Sequence, residues 1–505
     1  MQMFSYRFAF LLVISFSLIS QAKTKRKPAA YERPPQFVLL GFDGSKDNAF
    51  WDESMAFADT VSTMNNGQKI KFTYFINPPY YLAKEFRKTY NTPVLGPGVS
   101  CIGFSDTTAG IAARIARTNR AFEAGHEIAS HANSHCDQSG TDKTANMYGR
   151  PWNFDHWNQE FEQFNLLLFG AYKINKIQPE KPGLLGNGFS FGVENITGFR
   201  APLLATTPDL FPVLKKFNFR YDTSKIASPD YWPQRQTWGG WNMPLAQIKI
   251  AGSTRKTLSM DYNWLIFHSA GVSKQDLSPE VRKQYYDQML ESYKYYFKQN
   301  YFGNRAPVQI GHHFSKWNNG VYWGAMKEFS KFVCNKPEVR CVTFAEYANW
   351  LDSVDAPTLN AYRSGSFSRL PDDKTIKDIA APVLADIRLD WSDLQFDAIV
   401  PEEFKRKVDI LKWAPQIEVD LVKTGSATIT RTDLMALVKK SDTEKPEFVG
   451  QRPPVIIRAS LYNQSGRNMI WQTYKVFNLG TPTEVIEGPL EANIDKGLDH
   501  ANAHD

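Results

Sequence analysis

The chain has 505 residues, of which 42% are hydrophobic and 22% charged, a composition typical of a globular protein that buries a core. Its 31 glycines and 29 prolines are near the average frequency, which excludes a collagen-like or low-complexity chain. The formal net charge of +7 is too small to indicate a nucleic-acid partner, and a solvated basic surface explains it better than an anionic polymer substrate does.

Residues 1–22 have the pattern of a secretory signal peptide. Arg7 precedes an apolar run over residues 8–19, and Ser20-Gln21-Ala22 resembles a small-residue cleavage site. The run is shorter than a typical membrane-spanning helix, and no later run reaches that length, so an uncleaved anchor is the lesser alternative. We therefore expect a secreted protein, periplasmic or extracellular, with no membrane span after cleavage.

The four cysteines are interpretable as disulfides, because an exported protein meets oxidising conditions. Cys334 and Cys341 flank a short segment that can turn, which favours pairing them and leaves Cys101 with Cys136. The other two connectivities and four free thiols remain as alternatives. A zinc site built from cysteines is not expected, because the chain has no CxxC spacing.

Strand-like runs alternate with helix-like segments from residue 34 to about 353, which predicts a single folded domain over residues 34–353. The predicted helices include residues 111–124 and 157–172. Such alternation predicts an α/β fold with a parallel sheet, and about seven strands favour a distorted, incomplete (β/α) barrel. The predicted strands are residues 37–42, 70–76, 127–131, 196–202, 219–224, 257–263 and 307–314.

The alternation of strand-like and helix-like segments ends at about residue 353. A linker with a short helical region is predicted over residues 354–385, then a small β-rich accessory domain over 386–487 and a disordered tail over 488–505. The accessory domain either docks the protein on a polymer or covers the barrel. Its predicted strands are residues 416–422, 426–431, 455–463 and 469–478, the last two joined by a hairpin turn at 464–468.

The polar residues of interest follow predicted strand ends, where an α/β barrel builds its site. Each has an ordinary explanation alone: Asp43 before a glycine can stabilise a turn, and Arg200 can position a loop or form a bidentate pair with Asp222. His312 and His313 are adjacent on a strand, so only one can face a pocket. The shared position nonetheless predicts one pocket, formed by Asp43, His131, His135, Arg200, Asp222, Asp261 and one of the paired histidines.

His131 and His135 are four residues apart, a spacing that on a helical turn places both imidazoles on one face, where they can chelate zinc. Taken alone, such a pair more often lies idle on a surface. Tryptophans near these segments, among them Trp232 and Trp317, can stack on sugar rings, although tryptophan is more often part of a core.

Five segments, in this order, resemble the motifs of the polysaccharide deacetylases, carbohydrate esterase family 4, over residues 35 to about 350. The family's first three motifs read threonine-Phe-Asp-Asp, His-Ser-x-x-His and Arg-x-Pro-Tyr. The corresponding segments here are Gly41-Phe42-Asp43-Gly44, His131-Ala132-Asn133-Ser134-His135 and Arg200-Ala201-Pro202-Leu203, followed by Tyr221-Asp222-Thr223-Ser224 and the strand that ends at His313.

The resemblance implies metal-dependent hydrolysis of N-acetyl groups on a glycan polymer, peptidoglycan or chitin-like. A divalent cation, zinc by the resemblance, would be held by His131 and His135, activate a bound water and polarise the acetamide oxygen. Asp43 would act as the base. The backbone N–H of Leu203 would help to hold the oxyanion, since a backbone donor does not depend on the side chain.

The resemblance also implies roles for the remaining residues. Arg200 orients Asp43 and is itself held by Asp222. His313 protonates the departing amine, with His312 as the alternative.

One position departs from the family pattern, because the second Asp of the first motif is a metal ligand and Gly44 stands there. Catalytic zinc usually has three protein ligands, so Asp43 binds the metal, another carboxylate such as Asp47 or Asp261 replaces the ligand, or a second water completes the shell. We favour Asp43 as base and Asp261 as replacement ligand. Two other functions stay open: a weak or inactive glycan-binding protein on the same scaffold, and an O-acetyl esterase of xylan-type substrates.

Overall fold

The computed structural model describes residues 31–63, 67–140, 150–253, 255–372, 376 and 378–379, together with six β-strands between residues 387 and 486. The predicted signal peptide, the predicted tail and the hairpin turn at 464–468 lie outside the described residues, as does most of the helical region predicted before residue 385. The domain boundaries stay predictions.

Helices and strands alternate along the described residues between 36 and 363. The strands are β1 Gln36–Asp43, β2 Thr73–Ile76, β3 Asn91–Thr92, β4 Gly96–Pro97, β5 Glu127–Ser130, β6 Gly198–Phe199, β7 Tyr221–Asp222, β8 Ile226–Ala227, β9 Gln234–Arg235, β10 Trp241–Asn242, β11 Leu245–Lys249, β12 Lys256–Leu258, β13 Val308–His313, β14 Val339–Val342, β15 Ile387–Asp390, β16 Gln416–Val419, β17 Ser426–Ile429, β18 Val455–Tyr462, β19 Met469–Phe477 and β20 Val485–Ile486. The helices are α1 Asn48–Thr60, α2 Thr108–Glu123, α3 Phe154–Phe169, α4 Ala171–Ile174, α5 Leu210–Lys216, α6 Asp261–Ser269, α7 Pro279–Tyr301, α8 Trp317–Cys334, α9 Phe344–Ser353 and α10 Ala356–Arg363.

The main sheet has nine strands in the order β13-β1-β2-β5-β6-β7-β10-β9, with β14 also paired to β1. Its pairs are parallel except β10 with β9. A second sheet has the order β12-β11-β8. Met260, two residues after β12, forms a bridge to Gly311 on β13, so the second sheet extends the main sheet at this edge. The predicted α/β fold with a distorted, incomplete barrel is confirmed, and the short strands β9, β10 and β14 raise the count above seven.

β1 lies between β13 and β2, and all eight of its residues are buried. A parallel strand that is covered on both faces needs a continuous apolar run, which is what this segment has. Phe42 illustrates the packing, because its ring lies 5.5–5.6 Å from those of Phe50, Tyr74 and Trp323. Asp43 at the end of β1 is a buried charge, only 4% exposed, and it marks the site.

The strand predicted over residues 257–263 is wrong in its second half. β12 ends at Leu258, and α6 begins at Asp261. Met260 forms the bridge to Gly311 and occupies the N-cap position of α6. Trp264 and Leu265, three and four residues after Asp261, are then buried in the core on one face of the helix. Asp261 therefore stands at a helix start rather than at a strand end.

Strands β15 to β20 account for the predicted C-terminal β-rich region. β18 and β19 pair antiparallel, as predicted, and β16 pairs parallel to β18. Both favoured disulfides, Cys101–Cys136 and Cys334–Cys341, are present. Among the described helices, none has the length and hydrophobicity needed to cross a membrane.

Candidate functional site

The carboxyl ends of the parallel strands meet at one edge of the sheet and surround a cleft of about 610 Å³. Asp43 ends β1, His131 follows β5, Arg200 follows β6 and His313 ends β13. Asp43, His131, His135 and His313 line the cleft. A smaller cavity of about 200 Å³ lies beside it and shares three of these four side chains.

Asp43 forms a buried ion pair with Arg200, whose Nη1 lies 2.6 Å from Oδ1. Arg200 is fully buried, its guanidinium lies 4.3 Å from the centre of the Phe75 ring, and Nη2 donates to Thr223 Oγ1 at 3.3 Å. Because a buried charge is costly without a partner, this pair fixes the orientation of the carboxylate. The second oxygen, Oδ2, faces His131.

Two glycines allow close packing of the side chains around this guanidinium. Gly41 on β1 and Gly311 on β13 are paired in register. A Cβ at Gly41 would lie 3.0 Å from the Phe75 ring and 3.5 Å from Nη2 of Arg200, and one at Gly311 would lie 2.6 Å from Met260 Cε and 3.3 Å from Nη1 of Arg200. This adjacent pair of small residues is a sequence signal that our motif analysis did not use.

His131 is buried and its ring is oriented by the backbone. Its Nδ1 lies 2.8 Å from the carbonyl oxygen of Arg200, so Nδ1 carries the proton and donates. Nε2 then holds the lone pair and lies 4.0 Å from Asp43 Oδ2. Burial lowers the pKa of His131 to about 4, so this imidazole is neutral near pH 7. The ring of His135 lies 5.2 Å away, centroid to centroid.

The turn that joins these histidines is not a helical turn. Ala132 and His135 have positive φ angles of 52° and 53°, the left-handed region that residues with a Cβ seldom adopt. Asn77 Nδ2 donates to the carbonyl of His131 at 2.7 Å, and the disulfide at Cys136 anchors the end of the turn. The two imidazoles are thus brought together by tertiary contacts.

Glu160, which the sequence analysis did not single out, fixes this turn by accepting hydrogen bonds from its backbone. It lies on α3, is fully buried, and its Oε1 accepts the backbone N–H of Asn133 at 2.7 Å and of Ser134 at 3.0 Å. Tyr90 donates its hydroxyl to Oε2 at 2.7 Å. Burial raises the pKa of Glu160. The available signal was a glutamate three residues after the core residue Trp157, on the apolar face of the helix.

Asp261 connects to the histidines of β13 rather than to those after β5. Its Oδ1 lies 2.7 Å from His313 Nδ1, and its Oδ2 lies 3.3 Å from His312 Nδ1. Asp261 is fully buried; burial raises the pKa of its carboxyl, but the two imidazoles outweigh this and the net pKa is lowered. For His313 the effects have the opposite sign. Burial lowers the pKa of its imidazole, but the charge and hydrogen bond of Asp261 outweigh burial, and the net pKa is raised.

His313 and His312 occupy different environments. His313 lines the cleft, with Tyr262 at 5.9 Å and Trp317 at 5.1 Å between ring centroids. His312 is 1% exposed and packs in the core against Phe50. Because Nδ1 of His313 bonds to Asp261, Nε2 is the ring nitrogen that can exchange a proton with a ligand in the cleft.

Three other predicted site residues form hydrogen bonds that differ from the predicted interactions. Asp222 accepts from the backbone N–H of Ser224 at 3.2 Å, and burial raises its pKa to about 6, but the predicted pair with Arg200 is not among the hydrogen bonds of the described residues. Asp47 caps α1 by accepting the N–H of Ala49 at 2.8 Å. Trp232 is 4% exposed, and its indole donates to the backbone carbonyl of Asn304 at 2.9 Å.

Leu203 lies at the mouth of the cleft, half exposed, with φ 55°. Its place in the turn after Arg200 matches the predicted oxyanion donor, a role that stays a prediction. Trp317 is partly exposed beside His313 and lines the smaller cavity.

The cleft supplies fewer ligands than the three protein ligands that a catalytic zinc usually has. His131 and His135 fit two ligand positions, since backbone bonding leaves Nε2 of His131 as the donor atom. Gly44 offers no carboxylate, and Asp261 is held by the β13 histidines. Among the described residues, no three His, Cys, Asp or Glu side chains are arranged to hold a metal ion. The residues therefore do not fit a three-ligand zinc site.

No protein-family model and no curated protein matches the chain. Among solved structures, the chain is similar to a protein from Mycobacterium smegmatis assigned as a polysaccharide deacetylase, at 13% identity over 65% of this chain and 94% of that one, with a TM-score of 0.36. It is also similar to a family 4 carbohydrate esterase from Streptomyces lividans, at 12% identity over 59% and 91%, TM-score 0.28. A third is a pseudoenzyme of that family from Bacillus anthracis, at 8% identity over 62% and 66%, TM-score 0.30.

Proposed function

We propose that this protein is a secreted hydrolase that removes N-acetyl groups from an N-acetylhexosamine polysaccharide, peptidoglycan or chitin-like. The observation that carries the proposal is one cleft lined by a carboxylate held by a buried arginine, Asp43 with Arg200, and by an imidazole held by a buried carboxylate, His313 with Asp261. A base and an acid on the walls of one cleft are what amide hydrolysis requires.

The chain's own residues supply four parts of the reaction. Asp43, oriented by Arg200, accepts the proton of the attacking water. The new C–O bond forms as the carbonyl becomes an oxyanion, to which Leu203 N–H donates a hydrogen bond. His313 then gives its Nε2 proton to the amine nitrogen as the C–N bond breaks. Acetate and a free amino sugar are the products.

A divalent cation, with zinc as the predicted metal, would find His131 and His135 as ligands. Two imidazoles alone hold a cation more weakly than a set that includes a carboxylate ligand, because an imidazole ligand carries no negative charge to offset that of the metal. Secretion is supported by the predicted signal peptide and by the two disulfides.

Acetate release from chitin oligomers and from peptidoglycan, with and without added zinc, tests the proposal. The Asp43→Asn variant should lose activity at least about 100-fold. The exposed Asp59→Asn variant on α1 is the matched control and should retain it. Absence of acetate from every such glycan, with the wild type as silent as Asp43→Asn, contradicts the proposal.

The incomplete ligand set favours a second candidate, a protein that binds glycan without hydrolysing it. That reading predicts binding of the same oligomers with no acetate released, and binding unchanged by Asp43→Asn. Calorimetric titration alongside the acetate assay separates the two candidates.

A further inference from the structure

A second groove of about 600 Å³ continues from the catalytic cleft. Thr206 lines both. The groove then passes Phe211 and Lys215 at the start and end of α5, Lys225 after β7, and Trp238. A polymer whose reacting unit lies at Asp43 can therefore extend a neighbouring unit into this groove.

The backbone confirms that the groove and the cleft are adjacent. Lys225 accepts a hydrogen bond from the N–H of Leu245 at 2.9 Å, and Leu245 lines the cleft. The next residue, Ile226, pairs with Leu245 in the β8–β11 ladder. Thr223, two residues before Lys225, contacts Arg200, the ion-pair partner of the proposed base. Lys225 is therefore fixed beside the reactive end of the barrel.

The charge of the groove is positive. Lys215 and Lys225 are exposed and line it, no Asp or Glu is among its lining residues, and neither lysine forms an ion pair with another described residue. The ammonium of Lys225 lies 4.8 Å from the centre of the Phe211 ring, which restricts the side chain. Two exposed ammonium groups, one of them beside an aromatic ring, suit a sugar that carries an anion.

We propose that this groove binds a carboxylate-bearing sugar next to the unit that reacts, so that the preferred substrate is an acidic N-acetylated glycan rather than a neutral one. This inference rests on the proposed function and narrows its substrate class. Lys215 and Lys225 act on binding and not on the chemical step, because they lie outside the Asp43–His313 cleft.

The test uses two N-acetylated oligosaccharides of equal length, one neutral and one with carboxylates on alternate sugars. For the Lys215→Ala/Lys225→Ala variant we expect KM for the carboxylated substrate to rise about tenfold, with kcat and the neutral substrate unaffected. Lys84→Ala/Lys88→Ala removes the same charge from exposed positions outside both grooves and should change neither constant. An equal rise in KM for both substrates, or for both variants, overturns the inference.

Binding provides an arm that does not need turnover. Calorimetry with the Asp43→Asn variant should show tighter binding of the carboxylated oligosaccharide, and the added lysine substitutions should abolish the difference. If the wild type hydrolyses nothing but this binding difference holds, the proposed function fails and the groove assignment stands. Tighter binding of a phosphate-bearing glycan of the same length overturns the assignment to carboxylates.

Discussion

Asp43 and Arg200 join parts of the sheet that are not neighbours, since β2 and β5 lie between β1 and β6. Nη1 of Arg200 lies 2.6 Å from Asp43 Oδ1, and the same arginine's carbonyl accepts from His131 Nδ1 at 2.8 Å. One residue thereby orients both the proposed base and the first imidazole of the pair. Arg200, directly after β6, thus makes one of these contacts with its side chain and the other with its backbone.

Substitution of Arg200 by lysine keeps the positive charge beside Asp43 but removes the hydrogen-bond geometry of the guanidinium. A lysine ammonium is a point charge on a different stem and cannot contact both Asp43 and Thr223, so Arg200→Lys should lower kcat about 100-fold. The free energy of unfolding should fall by about 2 kcal/mol, because the buried pair loses its geometry. Arg235→Lys, at an exposed ion pair, is the control and should change neither. Enzyme assay and urea unfolding check both quantities, and unchanged kcat contradicts the orienting role.

Much of the barrel could be predicted because its strands carry local signals. The apolar run of β1 was predicted to within one residue at each end, and both disulfides followed from cysteine spacing and export. The prediction for residues 257–263 fails because Thr257 to Met260 alternates like a strand, whereas the bridge from Met260 to Gly311, just before α6 begins, is a long-range contact. Alternation alone does not show where a strand stops.

The partners of the site residues could not be predicted, because they depend on long-range pairing. Asp261 was assigned to a metal from its place near a strand end, but 52 residues separate it from His313, and only the fold brings them together. Glu160 carries no motif, and its position on the apolar face of α3 indicates burial but not which backbone groups it binds. The polar residues at strand ends thus indicate where the cleft lies. The pairing of their side chains depends on the three-dimensional structure.

Replacement of His313 should distinguish amide from ester hydrolysis. An amine leaves poorly unless it is protonated, whereas an alcohol leaves more readily, so His313→Ala should lower N-deacetylation at least about 100-fold and affect O-acetyl esters much less. Assays on an N-acetyl and an O-acetyl glycan measure the two activities, and His156→Gln, outside the cleft, is the control. Equal losses on both substrates would show that His313 does not act as the acid for the leaving group.

The raised pKa of His313 predicts a pH effect with a definite sign. Asp261 and Asp43 favour the charged imidazole, while burial and Arg200 oppose it, and the net folded-state value lies above 6.5. The stabilisation is therefore fully present below pH 6.5 and is lost as pH rises through the folded-state pKa. Asp261→Asn should reduce this pH dependence of the unfolding free energy and shift the alkaline limb of kcat/KM to lower pH. A limb that does not move in this variant argues against His313 as the titrating group.

Glu160→Gln should loosen the turn that holds His131 and His135. The substitution keeps the shape but removes the negative charge that accepts the N–H groups of Asn133 and Ser134, so the free energy of unfolding should fall by about 1–3 kcal/mol. The imidazole NMR signals of both histidines should shift and broaden. Glu162→Gln, on the exposed side of the same helix, should leave them unchanged. Loss of stability with both imidazole signals unmoved would limit Glu160 to a structural role.

Gly44→Asp should supply the carboxylate that the histidine pair lacks. Gly44 lines the small cavity together with Asp43 and His135, and a Cβ at this position would meet only Phe314 Cβ, at 3.9 Å. Its φ of 88° makes a side chain cost about 1 kcal/mol, which Asp tolerates better than most residues. The third ligand should tighten zinc binding at least about tenfold, as measured by competition with a chelating dye. Gly44→Asn carries the same backbone strain without the charge and should bind zinc as weakly as the wild type. Tight zinc binding by the wild type, unchanged in Gly44→Asp, would mean that a ligand other than residue 44 already completes the site.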